Sequence, residues 1–128
     1  MPRASVWLIR LAMLHLLLGS GGGAWLLLAK GGIAPPPASF LSAHAAIALL
    51  GWLVQFTLGV GYWILPKHAT GPARGPVWAP WMTLVTLNGG VALAALGTPT
   101  IGLATATLGV LVFLATTAPR LKPFGAGR

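Results

Sequence analysis

Histidines are the residues of this chain best suited to chemistry, because an imidazole nitrogen can bind a metal ion or carry a proton. His44 lies in the stretch SAHAAIALLGW, which is otherwise small and mostly apolar, and His15 lies in the apolar run LAMLHLLL. His68 follows Lys67 in a basic stretch rich in proline and glycine, where we expect an exposed loop. Ionisable residues inside apolar segments are energetically costly and favour a functional role. His44 is therefore the first candidate metal ligand, and His15 is a weaker second candidate.

The composition excludes most other chemistry. The chain contains no Cys, Asp or Glu among its 128 residues. Iron–sulfur clusters, thiolate metal sites and pairs of carboxylates for general acid–base catalysis therefore cannot be built from it. We do not expect this chain to be an enzyme on its own, and imidazole ligation is the main metal chemistry left to it.

The segments that carry these histidines have the composition of membrane helices. Hydrophobic residues make up 56% of the chain and charged residues 6%, whereas soluble domains have about a quarter charged residues. Four apolar runs, each close to the ~20 residues that a bilayer crossing needs, cover about residues 6–29, 39–65, 77–97 and 100–118. Breaks rich in proline or glycine separate them. We predict an all-α integral membrane protein, a single domain over residues 1–128 with four transmembrane helices in a bundle.

The positive charges indicate an orientation. With four spans, Lys30 falls alone on one side, and the other side carries the remaining cations, Arg3, Arg10, Lys67, Arg74, Arg120, Lys122 and Arg128. Lys and Arg accumulate on the cytoplasmic side, so we expect both termini in the cytoplasm and a multi-pass protein of the inner (cytoplasmic) membrane. The net charge of +8 forms no patch interleaved with aromatic residues. The lipid bilayer with its anionic headgroups is therefore the expected partner, and no nucleic acid is expected.

Small residues surround His44. On a helix, Ala48 and Gly51 share its face and leave a shallow slot beneath the imidazole. Such residues serve either close helix packing or the admission of a flat cofactor. His44 is expected roughly 8 Å below the outer interface and His15 roughly 20 Å below it. Because both axial ligands of a tetrapyrrole lie at similar depth, the second ligand would come from another chain or a small molecule.

The residues alone leave two interpretations of His44 open, a metal ligand and a packing histidine, and they favour a structural role for His15. Trp52 lies in the middle of its run, whereas most tryptophans of the chain lie near the ends of apolar runs, as interfacial residues do. Asn88 lies in the middle of the third run. A buried amide there needs a partner, either on a neighbouring helix or on the polar edge of a cofactor.

Residues 44–66, HAAIALLGWLVQFTLGVGYWILP, resemble the heme–copper oxidase subunit I superfamily, especially its cbb-type branch and the small four-helix relatives of that branch. The positions that match the motif of the family are His44, Gly51, Trp52, Gly59, Tyr62 and Pro66. The second histidine of the family's doubled motif would fall on Ala46. The third run, WMTLVTLNGGVALAALG, is similar to an aromatic helix of the family with an Asn-Gly pair in its middle.

This resemblance implies a heme-binding fold in which His44 is an axial ligand of heme iron. Gly51 and Ala48 would give the porphyrin clearance, and Trp52 and Tyr62 would pack or hydrogen-bond at its edge. Lys30 is a candidate partner for the heme propionates. The expected function is a heme b-binding subunit that passes electrons within a homo-oligomer or with other membrane subunits. The copper-binding histidines and channel carboxylates of the family have no counterpart, so oxygen reduction by this chain alone is not expected.

Two other functions remain open. A cofactor-free accessory or structural subunit of a membrane complex would keep the fold without the heme, and Ala46 in place of the second histidine favours it. Alternatively, His44 would bind the magnesium of a chlorophyll-type pigment, which needs only one axial ligand.

Overall fold

The computed structural model describes residues 1–68 and 71–121, and within these ranges it contains helices and no strands. Helix α1 is Arg3–Lys30, α2 is Phe40–Ile64, α3 is Trp78–Ala95 and α4 is Pro99–Thr117, and a short 3-10 helix, Ala118–Arg120, follows α4. The four predicted runs thus each form one helix, and their ends agree within three residues. The prediction of an all-α fold is confirmed.

Three of the four helices, α1, α2 and α4, are long and apolar enough to cross a membrane. Helix α3 has 18 residues but is not among these three. Its sequence includes the polar side chain of Asn88, the imino acid Pro80 and two threonines, which dilute its apolar content. Because α3 packs against all three other helices, more of its residues are buried than those of α1.

The backbone of α2 changes its winding in the middle of the helix. Phe40–Ala46 and Gln55–Ile64 are α-helical, and Ile47–Val54 between them is a π-helix of 8 residues. The sequence predicted one uninterrupted run and gave no sign of this change. Because π-helical turns are rare and frequently lie at functional sites, the side chains around this segment are candidates for a functional site.

Helices α3 and α4 form a closely packed hairpin around facing glycines. A methyl group at Gly90 would lie 2.5 Å from the carbonyl oxygen of Gly102 and 2.8 Å from the Cβ of Ala106. Only a residue without a side chain allows the two backbones this approach, and small residues of this kind are typical of helix contacts in membrane proteins. The core beside this seam is small and apolar and consists of Ala4, Leu58, Tyr62, Leu87, Ala106 and Phe113.

The cations separate toward the two ends of the bundle as the sequence predicted. Arg3, Lys67 and Arg74 line one cavity, and Arg120 bonds to the backbone at the same end of α2. Lys30 ends α1 at the opposite end. Two more cations, Lys122 and Arg128, were expected at the same end as Arg3. They lie outside the described residues.

Candidate functional site

A groove of about 270 Å³ lies between α1 and α2, and both histidines of the apolar segments line it. The rest of its wall is mostly small or apolar and consists of Leu16, Gly19, Ser20, Gly23, Ala48 and Trp52. The groove therefore brings together four residues predicted from the sequence: His15, His44, Ala48 and Trp52.

The imidazole of His44 lies against the backbone of α1 at two glycines. A methyl group at Gly22 would lie 3.2 Å from Nδ1 of His44, and one at Gly23 would lie 3.5 Å from Cε1 and 4.0 Å from Nε2. Nδ1 is buried and has no hydrogen-bond partner among the described residues. A packing histidine would normally be satisfied by a neighbouring helix, because an unpaired buried polar group costs about 1–3 kcal/mol. His44 therefore presents an unusual, unsatisfied imidazole beside an open groove.

His15 is held in a different way. Its Nδ1 donates a hydrogen bond to the carbonyl oxygen of Gly51 at 3.1 Å, which leaves Nε2 as the nitrogen without a proton. A methyl group at Gly51 would lie 2.6 Å from Cγ of this ring. Gly51, which was expected to give clearance beside His44, thus makes room for His15. Metal-bound histidines are commonly oriented by this kind of bond to a carbonyl, and a structural histidine makes the same bond, so His15 stays the second candidate ligand.

The two histidines lie at different levels of the groove. His15 contacts Gly51 and His44 contacts Gly22, so the second contact lies seven residues farther along α1 and seven residues back along α2. Seven residues correspond to about 10 Å of helix rise, which agrees with the depth difference expected from the sequence. One chain therefore offers a single imidazole at each level.

A second hollow of about 530 Å³ extends from His44 toward the end of α1. It shares Gly23 and His44 with the groove, and Lys30 lines it as well. The cation predicted as a partner for propionates is therefore part of the same concave surface as the imidazole of His44.

Tyr62 does not lie in this groove, which corrects the expectation that it borders a group held by His44. It follows His44 by eighteen residues on α2, about 27 Å of helix, and its ring packs against Phe113 with centroids 6.2 Å apart. Arg120 lies over the same ring, 5.2 Å from its centroid. The length of α2 alone therefore separates Tyr62 from the histidines.

Asn88 is also not at the groove, and its partner is a residue that the sequence analysis missed. The Asn88 side chain donates to Oε1 of Gln55 at 3.1 Å and to the carbonyl of Leu84 at 2.7 Å. Gln55 is fully buried, and its Nε2 donates to the carbonyl of Leu8 at 3.1 Å. Of the two partners considered for Asn88, the neighbouring helix is the one observed. A lone glutamine in an apolar run was the signal for this network, since a buried amide requires partners.

We expect Gln55→Leu to lower the free energy of unfolding in detergent by about 1–2 kcal/mol, because the buried bonds to Leu8 and Asn88 are lost. Adding Asn88→Leu should cost less in this background than in the wild type, since the shared bond is already gone. Thr57→Val is the matched control, as this exposed hydroxyl bonds only within its own helix. Strictly additive effects of the two substitutions would contradict the observed pairing.

No protein-family model matches this chain, and no curated protein or solved structure matches it either. The class of protein that the structure defines is one that is helical, without strands, over residues 1–68 and 71–121, with three helices there apolar enough to span a membrane. The similarity to the heme–copper oxidase superfamily stays a prediction that depends on the motif of residues 44–66.

Proposed function

We propose that this protein is a heme b-binding membrane subunit that passes electrons within an oligomer or a larger membrane complex. The observation that carries the proposal is the imidazole of His44, which lies over Gly22 and Gly23 beside an open groove with a buried and unpartnered Nδ1. This is the residue that the heme–copper oxidase motif marks as an axial ligand. The unpartnered Nδ1 means that no hydrogen bond from another described residue holds this nitrogen of His44.

The residues around His44 fit a flat, anionic macrocycle. Gly19, Gly23 and Ala48 have small or no side chains and line the groove without protruding into it, and Trp52 adds an aromatic surface to the lining. Lys30 supplies a cation for carboxylates on the side of His44 away from His15. A bound heme would supply one-electron redox chemistry, while the chain would hold the iron through His44 and exclude water with its apolar wall.

The second axial position requires a residue from outside this part of the chain. His15 lies about two helical turns, roughly 10 Å, from the level of His44, so the two imidazoles do not face each other. A symmetric dimer that pairs two copies of His44 is the simplest closed arrangement. Another membrane subunit with its own histidine is the other source of this ligand.

We further propose that α3 crosses the membrane with the other three helices, so that the chain spans the inner membrane four times with both termini in the cytoplasm. The collection of Arg3, Lys67, Arg74 and Arg120 at one end of the bundle supports this orientation, because cytoplasmic ends are enriched in cations. The single cation Lys30 then lies at the outer surface.

The test is an absorption spectrum of the purified protein, first oxidised and then reduced with dithionite, for the wild type and three histidine variants. We expect a sharp reduced alpha band, and His44→Ala should lower the ratio of heme to protein at least about tenfold. His68→Ala is the matched control because this histidine lies in the loop after α2, outside the groove. His15→Ala should retain the band, since its level in the groove differs from that of His44.

Other spectra would overturn the proposal in distinct ways. Loss of the band in His15→Ala but not in His44→Ala would transfer the ligand role to His15. A wild-type protein without a Soret band would leave the cofactor-free accessory subunit. Red or near-infrared bands that do not respond to dithionite would identify a chlorophyll-type pigment.

A further inference from the structure

A cavity of about 800 Å³ opens at the end of the bundle opposite Lys30, far from the groove of the histidines. Three cations line it, Arg3, Lys67 and Arg74, together with Tyr62 and Trp81. The sequence contains no Asp or Glu, so no acidic side chain of this chain can neutralise the cavity. Its potential is therefore positive, and an anion is the complementary ligand.

Beside this cavity, two guanidinium groups donate hydrogen bonds to the same backbone carbonyl oxygen. Arg74 donates from Nη1 to the carbonyls of Tyr62 and Trp63, each at 3.0 Å. Arg120 donates from Nη2 to the same carbonyl of Tyr62 at 3.2 Å and to that of Leu65 at 2.8 Å. The C-terminus of α2 attracts cations, but its dipole equals only about half an elementary charge. It therefore leaves most of the charge of two arginines uncompensated.

Arg120 adds a buried positive charge behind this cavity. Its side chain is only 2% exposed, and its Nε donates to the carbonyl of Pro66 at 2.9 Å. The remaining nitrogen, Nη1, is buried and has no partner among the described residues. Buried charges in proteins are normally paired, so the charge of this guanidinium adds to the positive potential beside the cavity.

We propose that this cavity binds a phosphate group, with Arg74 as its main contact and Arg3 and Lys67 at its rim. Planar guanidinium groups match the oxygens of phosphate better than an ammonium does. The headgroup of an anionic phospholipid and a free phosphate share this chemistry. The cavity lies at the ends of helices that are apolar enough to span a membrane, where basic pockets between helices meet lipid headgroups. The lipid is therefore the expected source, and the site is independent of heme binding.

The experiment measures the affinity of the purified full chain, in an uncharged detergent, for three probes: phosphatidylglycerol, phosphatidylcholine and inorganic phosphate. The readout is the melting temperature as a function of probe concentration, since a ligand that binds only the folded state raises it. We expect phosphatidylglycerol to stabilise the protein and phosphatidylcholine to have no comparable effect. The double variant Arg3→Gln and Lys67→Gln should weaken phosphatidylglycerol at least about tenfold.

This double variant suits the test because both side chains are exposed, so their replacement should leave the fold intact. The control is Arg10→Gln, which removes an exposed charge that belongs neither to the cavity nor to the groove of the histidines, and it is compared with Arg3→Gln and Lys67→Gln singly. Arg74→Lys keeps the positive charge but replaces the planar guanidinium group with an ammonium group. Its affinity for phosphatidylglycerol should lie between that of the wild type and that of the double variant.

The probes distinguish the two sources of phosphate. Stabilisation by phosphatidylglycerol alone supports a lipid headgroup, and stabilisation by inorganic phosphate as well supports a site for soluble phosphates. Equal stabilisation by phosphatidylcholine, or no difference between the cavity variant and its control, would overturn the proposal.

Discussion

Gly90→Leu is expected to prevent α3 and α4 from packing and to lower the free energy of unfolding by more than about 3 kcal/mol. The Cβ that it adds would lie 2.5 Å from the carbonyl oxygen of Gly102 and 2.9 Å from the amide nitrogen of Ala106. Both are backbone atoms of a helix, so they cannot move aside as a flexible side chain would. The two helices would have to separate along the seam that holds the hairpin together.

The adjacent glycine offers a matched control for this substitution. A Cβ at Gly89 would meet no atom within 4 Å, so Gly89→Leu adds the same side chain to the same helix without a clash. The melting temperature and the yield of monodisperse protein in detergent measure both variants. Equal behaviour of Gly89→Leu and Gly90→Leu would contradict the close approach of α3 and α4.

Gly51→Ala is the second substitution with a large expected effect, because it displaces the ring of His15. The new methyl group would lie 2.6 Å from Cγ and 2.8 Å from Nδ1 of His15. The imidazole must then turn away and lose its hydrogen bond to the carbonyl of Gly51. We expect a loss of about 2 kcal/mol in the free energy of unfolding, from the overpacking and the broken bond together.

A double-mutant cycle identifies the cause of this loss. In a His15→Ala background the methyl group at Gly51 has space, so the second substitution should cost close to nothing. Gly61→Ala in the same helix serves as the control, since a Cβ at this position meets no atom within 4 Å. If Gly51→Ala destabilises the His15→Ala protein as much as the wild type, His15 is not what Gly51 accommodates.

The four helices could be predicted from the sequence because hydropathy and the proline- and glycine-rich breaks are local signals. The ends of α1 to α4 follow the apolar runs within three residues. The different levels of His15 and His44 also followed from the sequence, since helix rise converts residue numbers into depth. The grouping of the cations at one end required only the number of helices and their alternating direction.

The contacts of the site could not be predicted, because they depend on how the helices pack against one another. Gly51 and His44 share a face on an ideal helix and both contact α1, but the residue that Gly51 meets there is His15. The motif of residues 44–66 placed Tyr62 with the heme, whereas the length of α2 carries it to the other end of the bundle. The π-helix left no trace in the sequence, since IALLGWLV is apolar throughout and its winding is set by its neighbours.

The π-helix in the middle of α2 leaves the face that this helix turns toward α1 continuous. His44 and Gln55 are eleven residues apart, which is about three turns of helix, and both contact α1, His44 at Gly22 and Gln55 at the carbonyl of Leu8. The surroundings of the two side chains differ because Asn88 of α3 donates to Gln55, whereas Nδ1 of His44 has no partner among the described residues. A single face of one helix thereby holds one polar group locked in the bundle and another beside an open groove.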